Sequence, residues 1–297
     1  MDSLLDVSAL AAIIEQPNLS IWDCRFDLAD PHLGRNLYQQ AHIPNADFVD
    51  LERDLSGQII PGETGRHPLP ALPAIATLFS RLGISHDSHI VCYDQGNSVF
   101  AARAWWICRW LGLTQVQILD GGFNAWTQHH AITTRQRPTK TVQPMALVAN
   151  DEMVVDAARL MQTLKGIDAA YVDRHVGRLL KDQPPWQLID ARNERRFLGL
   201  EEPIDPISGH IPGARCFDFQ QNLDSNGCFL SKSLLQVRFQ DLGPIEQIVC
   251  YCGSGVTACH NIFAINHAGL GMAKLYPGSW SEWIIDRQRP VALTAGA

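Results

Sequence analysis

The chain has 297 residues, 46% hydrophobic and 19% charged. That balance excludes a disordered or collagen-like protein, and at roughly 150 residues per domain it suggests two domains, each able to fold without disulfide staples. Lys and Arg number 24 against 31 Asp and Glu, a net charge of −7, which leaves no footprint for nucleic acid or an anionic membrane.

The N-terminal run MDSLLDVSALAAIIEQP carries acidic residues and no basic region. It does not read as a secretory signal, and no stretch approaches the roughly 20 apolar residues of a membrane span. A cytoplasmic protein with reduced thiols is expected. Four landmarks then follow and recur. Ser20-Ile21-Trp22-Asp23-Cys24-Arg25 returns as Gln187-Leu188-Ile189-Asp190-Ala191-Arg192. Ala41-His42-Ile43-Pro44-Asn45-Ala46 returns as Gly209-His210-Ile211-Pro212-Gly213-Ala214. His89-Ile90-Val91-Cys92-Tyr93-Asp94 returns as Gln247-Ile248-Val249-Cys250-Tyr251-Cys252. Asp120-Gly121-Gly122-Phe123-Asn124-Ala125-Trp126 returns as Pro277-Gly278-Ser279-Trp280-Ser281-Glu282-Trp283. Four landmarks in one order at nearly constant spacing mean two copies of one domain.

The polar, Pro-bearing stretch that begins near Thr133 separates the copies. It places a first domain at 1–135, a linker at 136–150 and a second domain at 151–297. The second copy also carries an insertion at 167–186, which reads as a surface decoration. Leu188-Ile189 and Ile248–Tyr251 are short apolar runs bounded by turn residues, the pattern of buried parallel strands. Val154–Leu164, Ser233–Asp241 and Ala258–Ile265 read as helices. Strands alternating with helices give an α/β class, each domain a mostly parallel sheet flanked by helices.

The eight cysteines lie at 24, 92, 108, 216, 228, 250, 252 and 259. No Cys/His set has zinc spacing, so no metal site is expected. Cys252 is different because of its loop. It ends a strand and is followed by Gly253-Ser254-Gly255-Val256-Thr257 and then a helix. Glycines let successive N–H groups turn inward as an anion nest, and the helix presents its positive end to the same point. Both favour thiolate over thiol. Cys250, Cys92 and Cys259 read as packing residues.

The strand–CGSGVT–helix element resembles the active-site loop of the rhodanese family. The tandem arrangement resembles the two-domain thiosulfate and 3-mercaptopyruvate sulfurtransferases. The likeness covers nearly the whole chain, through GHIPGA at 209–214, DAR with a following RRF at 190–197, YCGSGVTACHN at 251–261 and PGSWSEW at 277–283. It implies two tandem rhodanese-like domains with the nucleophile, Cys252, in the second. The first is catalytically inactive, because Asp94 stands in the cysteine slot and cannot carry a sulfane sulfur.

The resemblance implies a ping-pong cycle without cofactor. Cys252 takes sulfur from a small anionic donor and passes it to cyanide or a thiol, including one of thioredoxin type. Gly253, Gly255, Val256 and Thr257 would line the anion nest. The loop carries no basic residue, which resembles the mercaptopyruvate branch. Arg196 matches that family's first arginine for the donor carboxylate. Its second arginine follows a Glu-Pro, but here Ile204 follows Glu202-Pro203. Arg66, in Gly65-Arg66-His67, is a further candidate for the cleft, and Arg195 or Arg192 another. The same branch implies a Ser–His–acid relay, for which Ser254, His67 and Glu52 stand at matching positions, with Asp50 nearby. His42 and His210 read as turn-fixing residues. Three other readings stay open. They are thiosulfate as main donor, a non-enzymatic sulfur-carrier or regulatory module, and a phosphatase or arsenate reductase. The last needs Cys-x5-Arg, where this chain has Thr257.

Overall fold

Apolar runs of a few residues become parallel strands in a computed structural model that describes residues 2–129, 134, 145–164 and 186–293. The insertion expected at 167–186, apart from Trp186, and residues 136–144 of the expected linker lie outside the described residues.

Contacts divide the chain into two units, each described by itself. The first comprises residues 1–58, 69–151 and 223–231, the second 59–68, 152–222 and 232–297. Ile59–Pro68 therefore belongs with the C-terminal half, and Leu223–Ser231 with the N-terminal half.

In the first unit the strands are β1 (Leu4–Leu5), β2 (Leu19–Asp23), β3 (Ala46–Phe48), β4 (His89–Tyr93) and β5 (Val116–Leu119). They lie in the order β1-β5-β4-β2-β3, all parallel. Every residue of β2, β4 and β5 is buried, as befits parallel strands covered on both faces. The helices are α1 (Val7–Ile13), α2 (Leu33–Gln40), α3 (Leu72–Leu82), α4 (Val99–Trp110) and α5 (Gly122–His129). Asp6 caps α1 through the N–H of Ala9, and α3 ends on Gly83 at φ +67°, where a side chain would be strained. α4 follows the central strand and is buried nearly all round. Its Arg103 is fully buried and donates to the Leu55 carbonyl.

In the second unit α6 (Ala157–Leu164), β6 (Gln187–Asp190), α7 (Glu194–Phe197), β7 (Arg215–Cys216), α8 (Lys232–Phe239), β8 (Ile248–Tyr251), α9 (Thr257–His267), β9 (Lys274–Leu275) and α10 (Ser279–Trp283) follow in order. The sheet runs β7-β6-β8-β9, again all parallel. The expected helices are present with shifted ends. The one expected from Val154 starts at Ala157, because Val154 bridges Leu275 beside β9 and the Val155 N–H donates to the Leu275 carbonyl. Asp156 then caps the helix through the N–H of Arg159 at 2.8 Å.

The repeated landmarks perform the same structural work twice. Arg25 Nη2 lies 2.6 Å from Asp23 Oδ2 and donates to the Ala41 carbonyl at 2.7 Å. Arg192 Nη2 lies 2.6 Å from Asp190 Oδ2 and donates to the Gly209 carbonyl at 2.7 Å. Tyr93 and Tyr251 hydroxyls accept from the N–H groups of Ile43 and Ile211. His42 stacks on Tyr38, and His210 stacks on Phe197, with centroids 4.0 and 3.8 Å apart. Each ring also places Nδ1 2.7 Å from the backbone carbonyl of its stacking partner. Both histidines are thereby committed to turns. Among the described residues no helix is long and apolar enough to cross a membrane.

Candidate active site around Cys252

β8 is fully buried and ends at Tyr251, so Cys252 emerges at the carboxyl end of a central parallel strand, where open α/β sheets bind ligands. Five residues later α9 begins. Val256 precedes it without a side-chain cap, and the first-turn N–H of Cys259 donates to the Val256 carbonyl at 3.0 Å. Gly255 has φ +81°, and a β-carbon there would stand 2.5 Å from the Pro277 carbonyl oxygen. The turn therefore requires glycine. It brings the Gly255 N–H to 3.1 Å from Cys252 Sγ. That is the one hydrogen bond of this sulfur among the described residues.

The PGSWSEW landmark braces the loop. Trp280 and Ser281 N–H groups donate to the carbonyls of Cys252 and Gly253, each at 2.9 Å. Ser279 Oγ accepts from the Cys252 N–H at 3.1 Å and donates to the Tyr276 carbonyl at 3.0 Å. Ser279 holds φ +54°, strained for a residue with a side chain. Its counterpart in the first unit is Gly122, at φ +56°. The sequence reading missed Ser279, although that glycine opposite it in the repeat was the available signal.

Ile59–Pro68 delivers two side chains to this loop. The Arg66 N–H donates to Ser281 Oγ at 3.1 Å. A β-carbon on Gly65 would stand 2.6 Å from the Gly278 carbonyl oxygen, so only glycine permits this approach. His67 is buried, with Nδ1 2.8 Å from Ser254 Oγ. Arg66 and Arg196 both lean over Gly253, where a β-carbon would stand 3.0 Å from Arg66 Nη2 and 3.5 Å from Arg196 Nη2. Glu202 holds Arg196, with Oε1 2.7 Å from Nη2 and 3.1 Å from Nε. Asp205 contacts both guanidinium groups.

Of the residues expected from sequence, Cys252, Gly253, Ser254, Gly255, Val256, Thr257, His67, Arg66 and Arg196 lie in the second unit. Glu52 lies in the first, exposed in a turn, where its N–H donates to Asp50 Oδ1 at 3.0 Å. Arg192 is consumed by Asp190 and Glu202, and Arg195 pairs with Glu201 on the surface. Ile204, which stands where a second arginine was expected, is exposed. Asp205 and Ser281 were not foreseen. Asp205 pairs with a residue 139 positions away, a distance over which sequence pattern carries no signal. Among the described residues no group of three or more His, Cys, Asp or Glu could hold a metal ion.

The remaining cysteines lack these surroundings. Cys92, Cys108 and Cys250 are fully buried, and burial pushes their thiols well above the ordinary value. Cys216 is pushed up to about 12 and Cys228 up to about 11, in each case by burial and then by neighbouring carboxylates.

Comparison with known proteins agrees with this architecture. The rhodanese-like domain family matches residues 6–129 and 175–286. A Pseudomonas aeruginosa protein named "Probable 3-mercaptopyruvate sulfurtransferase" is 45% identical over 293 residues, 97% of each chain. The mitochondrial thiosulfate/3-mercaptopyruvate sulfurtransferase 1 of Arabidopsis thaliana is 33% identical over 98% of this chain and 78% of its own. The crystal structure of SseA from Escherichia coli, described as a 3-mercaptopyruvate sulfotransferase with the rhodanese fold, superposes with a TM-score of 0.77. It is 28% identical and is covered in full by 95% of this chain. With both halves matched, the chain belongs to the rhodanese family as two tandem rhodanese-like domains.

Proposed function

We propose that the protein is a sulfurtransferase that moves a sulfane sulfur from 3-mercaptopyruvate to a thiol or cyanide through a Cys252 persulfide. The observation that carries this reading is the position of Cys252 Sγ. It sits at the head of α9, on the Gly255 N–H, with two guanidinium groups over the adjacent Gly253. A thiolate, a persulfide and a carboxylate are all anions, and this loop meets them with N–H groups and arginines.

Cys252 thiolate attacks the donor sulfur. A sulfur–sulfur bond forms, and the donor's carbon–sulfur bond breaks. Its electron pair passes to the methylene carbon and is delocalised as the enolate of pyruvate. The donor thiol proton remains on the terminal sulfur. The enolate takes a proton from Ser254, which His67 resupplies through their 2.8 Å hydrogen bond. Glu52 is the acid that the family pattern offers to this relay. In the second half-reaction the acceptor attacks the terminal sulfur, the sulfur–sulfur bond breaks, and Cys252 thiolate is regenerated. Each step uses side chains and backbone alone. The reaction belongs in the cytoplasm, where thiols stay reduced.

Thiosulfate is the second donor to consider, because the relatives' names include it and Ile204 replaces an expected arginine. Mixing each donor with the protein and weighing it should show one added sulfur on Cys252. Turnover should be faster with 3-mercaptopyruvate than with thiosulfate. Cys252→Ser should lose at least about 10³-fold in turnover with either donor. Normal turnover by that variant would end the reading.

A further inference from the structure

A carboxylate already occupies the two guanidinium groups beside Cys252. Asp205 Oδ1 pairs with Arg66 Nη1, and Asp205 Oδ2 lies 3.3 Å from Arg196 Nη2. The Asp205 side chain is only 3% exposed, while those of Arg66 and Arg196 are 32% and 12% exposed. It has no other hydrogen-bond or ion-pair partner among the described residues. The neighbouring Glu202 is anchored quite differently. It grips Arg196 at both Nε and Nη2, reaches Arg192 Nη1 at 3.3 Å, and accepts the N–H groups of Ile204 and Asp205. Glu202 sets where Arg196 stands. Asp205 touches one terminal nitrogen of each guanidinium, Arg66 Nη1 and Arg196 Nη2, the latter at 3.3 Å where Glu202 Oε1 already stands at 2.7 Å. Asp205 comes from an irregular segment, Pro203 to Pro206, that belongs to no helix or strand.

Charge sharpens the point. Arg66, Arg192 and Arg196 are matched by Asp190, Glu202 and Asp205. The cluster closes at zero and holds no spare positive charge for an anionic donor. We propose that Asp205 is an internal counter-ion that sits in the donor's anion position and is displaced by it, so that Asp205 sets donor specificity. This rests on the sulfurtransferase reading above. A donor with one carboxylate, such as 3-mercaptopyruvate, replaces Asp205 like for like, one oxygen to each guanidinium. Thiosulfate, a dianion without a carboxylate, meets a neutral cluster and one displaced negative charge nearby. The same device explains how a cleft without the expected second arginine discriminates. Arg66 supplies the second guanidinium, and Asp205 keeps it paired until a carboxylate arrives.

Asp205→Asn tests this, since it keeps the shape and removes the charge. The thiosulfate kcat/KM should rise about tenfold and that of 3-mercaptopyruvate about threefold, both through KM, with the gain fading in high salt. The donor preference thus shifts toward the dianion. Equal losses for both donors, or no change, would show that Asp205 only positions the arginines and would overturn the proposal. A second measurement needs no variant. In the unmodified protein, pyruvate should protect Cys252 from alkylation at lower concentration than sulfate does. Equal or better protection by sulfate also overturns it. The two readings fail separately. If the unmodified protein takes no sulfur on Cys252, the sulfurtransferase reading falls and takes this one with it. If Cys252 loads and the donor ratio of Asp205→Asn stays fixed, only the role of Asp205 falls.

Discussion

In the first unit, β4 delivers Asp94 to the loop before α4. In the second, β8 delivers Cys252 to the loop before α9. The scaffolds are alike, but the N–H groups of the two loops have different acceptors. Asp94 Oδ1 accepts from Gly96 at 3.1 Å and Ser98 at 2.9 Å, and Oδ2 accepts from Phe100 at 2.9 Å and Ala101 at 3.3 Å. Burial pushes this carboxyl up from its ordinary value, and the four donors pull it back. The first loop is thus an anion nest filled by its own side chain. Cys252 Sγ takes one N–H, that of Gly255 at 3.1 Å. An internal carboxylate holds the N–H groups of the first loop, where the second loop presents a thiol.

The largest break in that comparison should come from Asp94→Ala. Four N–H groups would be left inside without their acceptor, at a cost of about 3 kcal/mol and a melting temperature lower by about 10 °C. Turnover per folded molecule should stay within about twofold. Cys252→Ala should do the opposite, costing about 1 kcal/mol in stability while abolishing sulfur loading. Calorimetry and single-turnover sulfur transfer on both variants check the pair. A stable Asp94→Ala protein would mean that the first loop does not depend on its carboxylate.

Much of this was legible in the sequence because the repeat doubled each signal. Asp23-x-Arg25 and Asp190-x-Arg192 are local pairs, and their motif spacing is their geometry. Cys252 stood out because strand, glycines and helix are consecutive. What escaped was non-local. Arg66 meets Asp205 across 139 positions, and no periodicity encodes such a pair. The pairing of His67 with Ser254, 187 positions apart, was expected only through the family resemblance. The exchange of Ile59–Pro68 into the second unit was equally silent, because a segment that is neither helix nor strand leaves no hydrophobic period. It is this segment that brings His67 and Ser254 into one unit.

Glycine separates the two loops more gently. Gly255→Ala places a β-carbon at φ +81° and 2.5 Å from the Pro277 carbonyl oxygen. The backbone must shift, and a displacement of about 1 Å at Cys252 should lower kcat/KM about a hundredfold. Gly96→Ala meets the flexible Asn124 amide at 2.8 Å and backbone only at 3.4 Å. Asn124 can swing away from its hydrogen bond with Gln95, at a cost below about 1 kcal/mol. Similar turnover losses in the two variants would show that loop strain is not specific to the reacting site.

The smallest effect should come from restoring a thiol to the first loop. Asp94→Cys in a Cys252→Ser background recreates strand, loop and helix around a cysteine. Yet Gly96 stands in the place of Ser254, so the hydroxyl that pairs with His67 has no counterpart. The cavity of about 700 Å³ over this loop is lined by Phe26, Asp27, Asn97, Phe100, Asn124 and Asn226 among others, and by no arginine or lysine. A donor anion would meet no guanidinium there, and the departing enolate no proton source. Mass spectrometry after donor addition should find no sulfur on residue 94, and turnover should equal that of Cys252→Ser alone. Sulfur loading at that position would mean that the nest by itself suffices for the first half-reaction, and that the arginines and the Ser254–His67 pair serve donor choice and turnover rather than persulfide formation.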